Sequence, residues 1–255
     1  MSNLIKTSKE LQIMKEGGQK LSAILTELFD FAKEGINLLE IESKAVQLIK
    51  KSGGEPGFMK VPNYHWATCI NINDEIVHGV PKDYILKNQD VLNIDIGLFY
   101  KGLHSDMSGT VYFRDRKDKE IEKFLETGRK ALKLAEKKAR ENNRIGHISQ
   151  RIQQIIEKEG YNCARNLTGH GIGKNLHEEP MIPCILNKPI NYTPILKQGM
   201  TLAIEVIYMQ GEPDLVMNSK DGWTIKTKDG KISAVFEETV AVSKDEAVVL
   251  TKLPF

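Results

Sequence analysis

Apolar residues recur at helical spacing over Ser8 to Phe31, where Leu11, Met14, Leu21, Leu25 and Leu28 fall near one face. Ser8, three residues ahead of Leu11, is the expected N-cap. A second helix is expected from Asn37 to Lys51, with Leu38, Ile41, Ala45 and Ile49 on one side. Strand-like stretches follow from Ala67 to Gly102. Helical spacing returns over Lys117 to Arg140 and over His147 to Glu159, and from Asn162 the chain reads as strands and loops. The order helix, helix, strands thus occurs twice, an α/β (α+β) arrangement.

That order points to an internal repeat. Residues 86–96 (LKNQDVLNIDI) and 196–206 (LKQGMTLAIEV) align at an offset of 110, with Leu86, Lys87, Leu92 and Ile94 meeting identical residues. Asp95 falls on Glu205 and Ile96 on Val206. Upstream, LIKKSGG (48–54) resembles IIEKEGY (155–161) at an offset of 107. We read residues 1–255 as a single domain of two half-domain copies, about 8–113 and 117–250, sharing one core.

Strand phase gives the carboxylates a direction, because successive side chains alternate between faces. Leu92, Ile94, Ile96 and Leu98 form an apolar face, which turns Asn93, Asp95 and Gly97 the other way. Leu202, Ile204 and Val206 oppose Ala203 and Glu205 in the same manner, and Phe236, Val240 and Val242 oppose Glu237 and Thr239. Asp106 follows Asp95 across an expected turn at Lys101-Gly102, a spacing that suits an antiparallel hairpin. Asp95, Asp106, Glu205 and Glu237 can therefore line one concave surface. Four carboxylates crowded together resist ionising together, and divalent cations resolve that conflict. With one imidazole added, the donor set suits two ions of the manganese, iron, cobalt or zinc type. His170, flanked by glycines in TGHGIG (168–173), and His177, opening HEEP (177–180), are the histidines of interest. His78 sits at a strand end before a turn, whereas His65, His104 and His147 carry no such setting.

Composition removes several classes. A net charge of +2 with 40% hydrophobic residues excludes a disordered chain and gives no reason to expect DNA binding. No apolar run is long enough for a membrane span, and the opening residues Met1 to Lys6 lack the apolar core of a signal peptide. Cys69, Cys163 and Cys184 form no CxxC pair, so a reducing cytoplasm is expected rather than a disulfide scaffold or a structural zinc site. Gly169-x-Gly171-x-Gly173 does not open a helix as a dinucleotide loop would, and there is no GxxxxGK[ST], HExxH or GxSxG. Residues 114–144 carry twelve Lys/Arg against seven Asp/Glu, a solvated helix face or a docking surface for an anionic partner.

The segments NDEIVHG (73–79), NIDI (93–96), HSDMSGTV (104–111), TGHGIG (168–173), HEEP (177–180), AIEV (203–206) and FEET (236–239) follow one another in a specific order. In that order the chain resembles the bacterial type I methionine aminopeptidases over essentially its whole length. The resemblance implies the pitta-bread fold, a pseudo-twofold duplication around a curved antiparallel sheet, here one catalytic domain. It implies a metal-dependent hydrolase of N-terminal methionine excision, with two divalent ions (Mn, Fe, Co or Zn). Asp106 and Glu237 would bridge them, Asp95 would hold one, and His170 with Glu205 the other. His78 and His177 would contact substrate, and Tyr64, Cys69 and Trp223 would line the methionine pocket. Glu205 would move the proton, His177 would support the oxyanion or the scissile amide, and His78 the amide nitrogen side. Substrates would be nascent polypeptides with a small second residue; Met1-Ser2 is itself such a start. The resemblance also implies a cytoplasmic monomer, and the basic segment raises contact with the ribosome.

The chain departs from the family at four positions. Val206 stands where Pro is common, His65 likewise, Leu176 where an aromatic is common, and Glu238 where His is common. None removes a ligand, and strand phase favours Glu237 over Glu238 as one. Two alternatives stay open: an X-Pro aminopeptidase or prolidase-like peptidase of the same fold, and a non-catalytic peptide- or ribosome-binding module on it.

Overall fold

The computed structural model describes residues 4–113 and 118–255. Its helices are α1 (Ser8–Phe31), α2 (Leu38–Lys51), α3 (Lys119–Glu136) and α4 (Ile145–Lys158). Its strands are β1 (Glu55–Pro56), β2 (Thr68–Ile72), β3 (Glu75–Val77), β4 (Val91–Tyr100), β5 (Leu103–Tyr112), β6 (Asn162–Cys163), β7 (Thr168–Gly171), β8 (Glu178–Pro183), β9 (Thr201–Met209), β10 (Leu215–Met217), β11 (Ile225–Thr227), β12 (Ser233–Ala241) and β13 (Val248–Val249). Lys117 and the Met1-Ser2 start lie outside the described residues.

Several helix ends differ from expectation, each for a local reason. α1 is capped by Thr7 rather than Ser8: Thr7 Oγ1 accepts from Glu10 N at 3.2 Å while Glu10 Oε2 accepts from Thr7 N at 2.8 Å, a reciprocal capping box. Asn37 caps α2 through a bond from Leu39 N to its Oδ1 at 3.0 Å, so the helix proper begins at Leu38. Asp118 caps α3, which closes at Glu136, and residues 137–140 turn instead of continuing. His147 lies inside α4, where its Nδ1 accepts from Arg144 N at 3.0 Å.

The main sheet is antiparallel, in the order β1-β4-β5-β12-β9-β7-β8, with β2 also on β4, β6 on β9 and β13 on β12. β3, β10 and β11 form a small second sheet. The hairpin β4–β5 turns at Lys101 and Gly102, with φ of 49° and 87°, as a tight turn matched to strand twist requires. One face of the sheet carries Leu92, Ile94, Ile96, Met107, Leu202, Ile204, Val206 and Phe236. These share a fully buried core with Leu21, Leu25 and Leu28 of α1, Ile41 and Ile49 of α2, Phe124 and Leu132 of α3, and Ile152 and Ile156 of α4. The helices therefore occupy that face and leave the carboxylate face open for chemistry.

The two helix-helix-strand stretches use matching devices. α2 and α4 each span 14 residues, and the residues that cap them, Asn37 and Arg144, form isolated bridges to Ile85 and Ile195. Gly35 N bonds Leu86 O at 2.9 Å, and Asn142 N bonds Leu196 O at 3.1 Å. Gly35 and Asn142, like Gln89 and Gly199, sit at positive φ at the offsets of 107 and 110 seen in the sequence.

Candidate metal centre

Sheet register assembles a row of polar side chains across four strands. Asp95 stands opposite Ser108, Ser108 opposite Glu237, and Glu237 opposite Glu205. Asp106 lies two residues from Ser108 on the same face, and His170 of β7 stands opposite Ala203, two residues from Glu205. Ligand-type atoms of Asp106, His170 and Glu237 all lie within 4.8 Å of one another. His170 Nε2 is 3.7 Å from Glu205 Oε1 and 4.0 Å from Asp106 Oδ2.

The protonation logic of this cluster is that of a cation site. His170 Nδ1 is 2.8 Å from the Gly171 carbonyl, which only accepts, so Nδ1 carries the proton and Nε2 a lone pair. Burial, then the neighbouring His177, hold the His170 pKa down to about 4, so the ring is neutral. That lone pair faces the Glu205 and Asp106 carboxyl groups at distances beyond a hydrogen bond. Burial pushes the Asp95 carboxyl up to about 7. Asp106 is raised by burial and then by Asp95 and Glu205; Glu237 by burial and then Asp106, Glu205 and Asp95; Glu205 by burial and then Asp95. Asp95 Oδ1, Asp106 Oδ1 and Glu237 Oε1 are buried with no hydrogen-bond partner among the described residues. Orphaned, mutually repelling oxygens beside a neutral imidazole nitrogen fit divalent ions, which supply the missing positive charge. Glu238 points to the opposite face, where its Oε1 accepts from Leu253 N at 2.7 Å and Glu136 lies beside it.

A cavity of ≈ 130 Å³ opens on this row and brings together all ten residues singled out from the sequence. Its far wall is aromatic. Tyr64 meets Trp66 and Trp223 edge-on, at centroid distances of 5.3 and 5.1 Å. The Tyr64 hydroxyl lies 2.8 Å from Thr68 O and 3.1 Å from Cys69 Sγ. Cys69 stands opposite Asp95 in register, and burial, then Asp95, keep it a neutral thiol. The cavity is thus apolar on one side and lined by carboxyl groups on the other.

Two more imidazoles close the cavity. His177 packs edge-on against His170 with centroids 4.5 Å apart. His78 adopts φ +58°, an uncommon conformation for a histidine, immediately before Gly79, whose N–H is fixed by Asn71 Oδ1 at 2.8 Å. Burial lowers the pKa of both rings, His78 being lowered further by His177, so both are neutral near pH 7.

Phe58, Val61, Val77 and Leu176 also line the cavity and were not singled out in advance as pocket residues. Phe58 and Val61 come from a short 3-10 turn and its edge, where no hydrophobic period exists to announce them. Their signal was indirect, a Gly- and Pro-rich stretch (GGEPGFMKVP, 53–62) holding isolated apolar residues. Thr239 was likewise missed: its Oγ1 accepts from Asp106 N at 3.0 Å and donates to Asp106 O at 2.7 Å, pinning that strand position. Of the departures, Val206 is buried on the helix-facing side, Leu176 lines the cavity, and His65 lies beside Trp66 with centroids 6.1 Å apart.

Residues 12–244 match the model of metallopeptidase family M24. The chain is 36% identical to methionine aminopeptidase 1 of Bacillus subtilis strain 168, covering 98% of this chain and 99% of that protein. It is 35% identical to the methionine aminopeptidase of Aquifex aeolicus, over 97% and 98% respectively. The crystal structure of methionine aminopeptidase from Thermotoga maritima superposes with a TM-score of 0.93 at 33% identity, covering 97% of this chain and 98% of that one. Prolidase from Pyrococcus furiosus shares the fold at a TM-score of 0.80 and 22% identity, but this chain spans only 67% of it. With this fold and these full-length relatives, the chain belongs to metallopeptidase family M24 and, within it, to the methionine aminopeptidases.

Proposed function

We propose that this chain removes the N-terminal methionine from polypeptides with a small second residue, and that it does so as one catalytic domain built from two half-domain copies. The observation that carries the reading is the cavity itself, with an aromatic and thiol wall facing Asp106, His170 and Glu237. In this reading Asp95, Asp106, His170, Glu205 and Glu237 would hold two divalent ions of the Mn, Fe, Co or Zn class. Carboxylates with one imidazole and no thiolate suit that class, Cys69 staying protonated. When bound, such ions supply Lewis acidity toward the scissile carbonyl and toward water.

The side chains do the rest. Tyr64, Cys69 and Trp223, with Phe58 and Leu176, take the unbranched methionine side chain and exclude water from it. Glu205, which lines the cavity beside His170, accepts a proton as water attacks and returns it to the leaving amine. His177 is neutral and offers its N–H to the developing oxyanion, a contact of a kind whose loss slows catalysis about 10²- to 10³-fold. His78 faces the amide nitrogen side of the same bond. Nascent chains in the cytoplasm are the substrate class this implies, with the enzyme a monomer. Among the described residues no helix is long and apolar enough to cross a membrane.

The test is Met release from Met-Ala-Ser by purified protein loaded in turn with Mn²⁺, Fe²⁺, Co²⁺ and Zn²⁺, with Ala-Pro in parallel. Met release with at least one ion and intact Ala-Pro is expected. Cleavage of Ala-Pro alone would establish the prolidase-like reading, and binding of peptide without hydrolysis under every ion the non-catalytic one.

A further inference from the structure

Lys6 precedes the first helix, yet its side chain is only 3% exposed. Its Nζ lies 2.6 Å from Glu178 Oε2, on a side chain 5% exposed. The backbone here is strapped to the approach to β9, the strand that carries Glu205: Lys6 N donates to Gly199 O at 2.8 Å, and Ile5 bridges Met200. The other oxygen of Glu178 accepts from Asn175 N at 3.0 Å. One carboxylate therefore ties residue 6 to both ends of a short arc, and between those ends stand the cavity residues Leu176 and His177.

The arc is held at its start as well. Gly173 O accepts from His104 N of β5 at 2.7 Å. A Cβ on Gly173 would fall against Lys6 Cε and Nζ and within 3.1 Å of Glu178 Oε1, so the glycine leaves room for the ion pair itself. Lys174 adds an outer tie to Glu10 at 3.8 Å. A buried ion pair contributes little net stability over an apolar pair of the same shape. What it supplies is direction, since charge-assisted bonds tolerate little displacement of either partner.

We propose that Lys6 is a positioning residue: through Glu178 it fixes the segment 173–178 and so sets the place of the His177 ring over the cavity. Lys6 touches no reacting atom. The proposal rests on the reading of His177 as a contact to the scissile group.

The experiment uses the full chain loaded with Mn²⁺, as Lys6→Met, Lys6→Arg and Gly173→Ala, each alone and combined with His177→Ala. Lys6→Met is expected to lower kcat on Met-Ala-Ser about 10- to 100-fold, the scale of a small misplacement of a catalytic group. KM and calorimetric Mn²⁺ affinity should stay within about twofold, because no ligand is displaced, and Lys6→Arg should recover most of kcat. In the His177→Ala background Lys6→Met should add almost nothing, since coupled residues are non-additive. Hydrogen exchange of the metal-free protein should quicken over 173–178 while β9 and β12 stay protected. Independent, multiplying losses in the double variant, a parallel fall in Mn²⁺ affinity, or unchanged exchange over 173–178 would overturn the proposal. If wild-type protein releases no Met, the proposed function falls, and the exchange comparison still decides whether Lys6 holds this segment. Should Lys6→Met fail to fold, Gly173→Ala displaces the same pair with both charges kept and carries the same comparison.

Discussion

Glu237 and Glu238 are neighbours in the chain with opposite environments. Glu237 Oε1 is buried without a partner beside Asp106 and His170, whereas Glu238 is engaged by Leu253 N and Glu136 on the helix side. Glu237→Gln is therefore expected to weaken Mn²⁺ binding by more than about 100-fold, beyond the 10- to 100-fold typical of losing only a partner of a ligand. Glu238→Gln should leave that affinity within a few-fold. Isothermal titration of both variants checks the contrast, and Asp106→Ala should behave like Glu237→Gln. Equal losses at 237 and 238 would mean that strand phase does not select the ligand. The distinction was readable from the sequence because Phe236, Val240 and Val242 set the phase of β12. Thr239 shares the ligand face but was not readable as a support for Asp106, since its partner is 133 positions away and only the fold shows the pairing.

At the scale of elements, the pocket wall depends on how closely a turn can approach a strand. Phe58 lies over β4 because Gly97, two residues from Asp95, has no side chain there: a Cβ would stand 2.7 and 2.8 Å from two Phe58 ring carbons. Gly97→Ala must push Phe58 aside, and over-packing of this kind typically costs about 1–3 kcal/mol. The expected result is a several-fold higher KM for Met-Ala-Ser with Mn²⁺ affinity unchanged, read from steady-state kinetics and calorimetry. A fall in kcat at constant KM would instead mean that Gly97 serves the reacting groups. Helices and long strands were legible because their apolar period repeats over several turns. Cap positions were less so: the pattern Thr7-x-x-Glu10 announces the start of α1, but Ser8 is an equally good cap by residue type, and only the extended backbone at Thr7 decides. The short 3-10 turn at Phe58–Lys60 has no period at all, which is why Phe58 and Val61 were not legible as cavity residues.

For the whole molecule, the crowded carboxylates couple stability to both protons and metal. Between the ordinary Asp value of 3.8 and the Asp95 value of about 7, the folded metal-free chain keeps a proton that the unfolded chain has released. Its stability therefore falls as pH rises through that window. Metal displaces the proton, so affinity, and the stabilisation it brings, rise with pH over the same window. Calorimetric melting at pH 5, 6 and 7.5, chelated and loaded, should show a Tm gap that widens with pH; a gap that narrows would contradict the assignment of these carboxylates to metal. The fold class was legible at this scale because the order helix, helix, strands recurs along the chain, while the pairing of β5 with β12 that joins the two stretches has no local signature. That seam has a temporal meaning. The row Asp95–Ser108–Glu237–Glu205 draws on positions about 140 residues apart, and contacts of such long range form late because loop closure must precede them. A chain still assembling, or one that has opened at β12, holds no complete row. In the proposed reading hydrolysis requires β12 to be seated between β5 and β9, so the site and the central sheet are completed together.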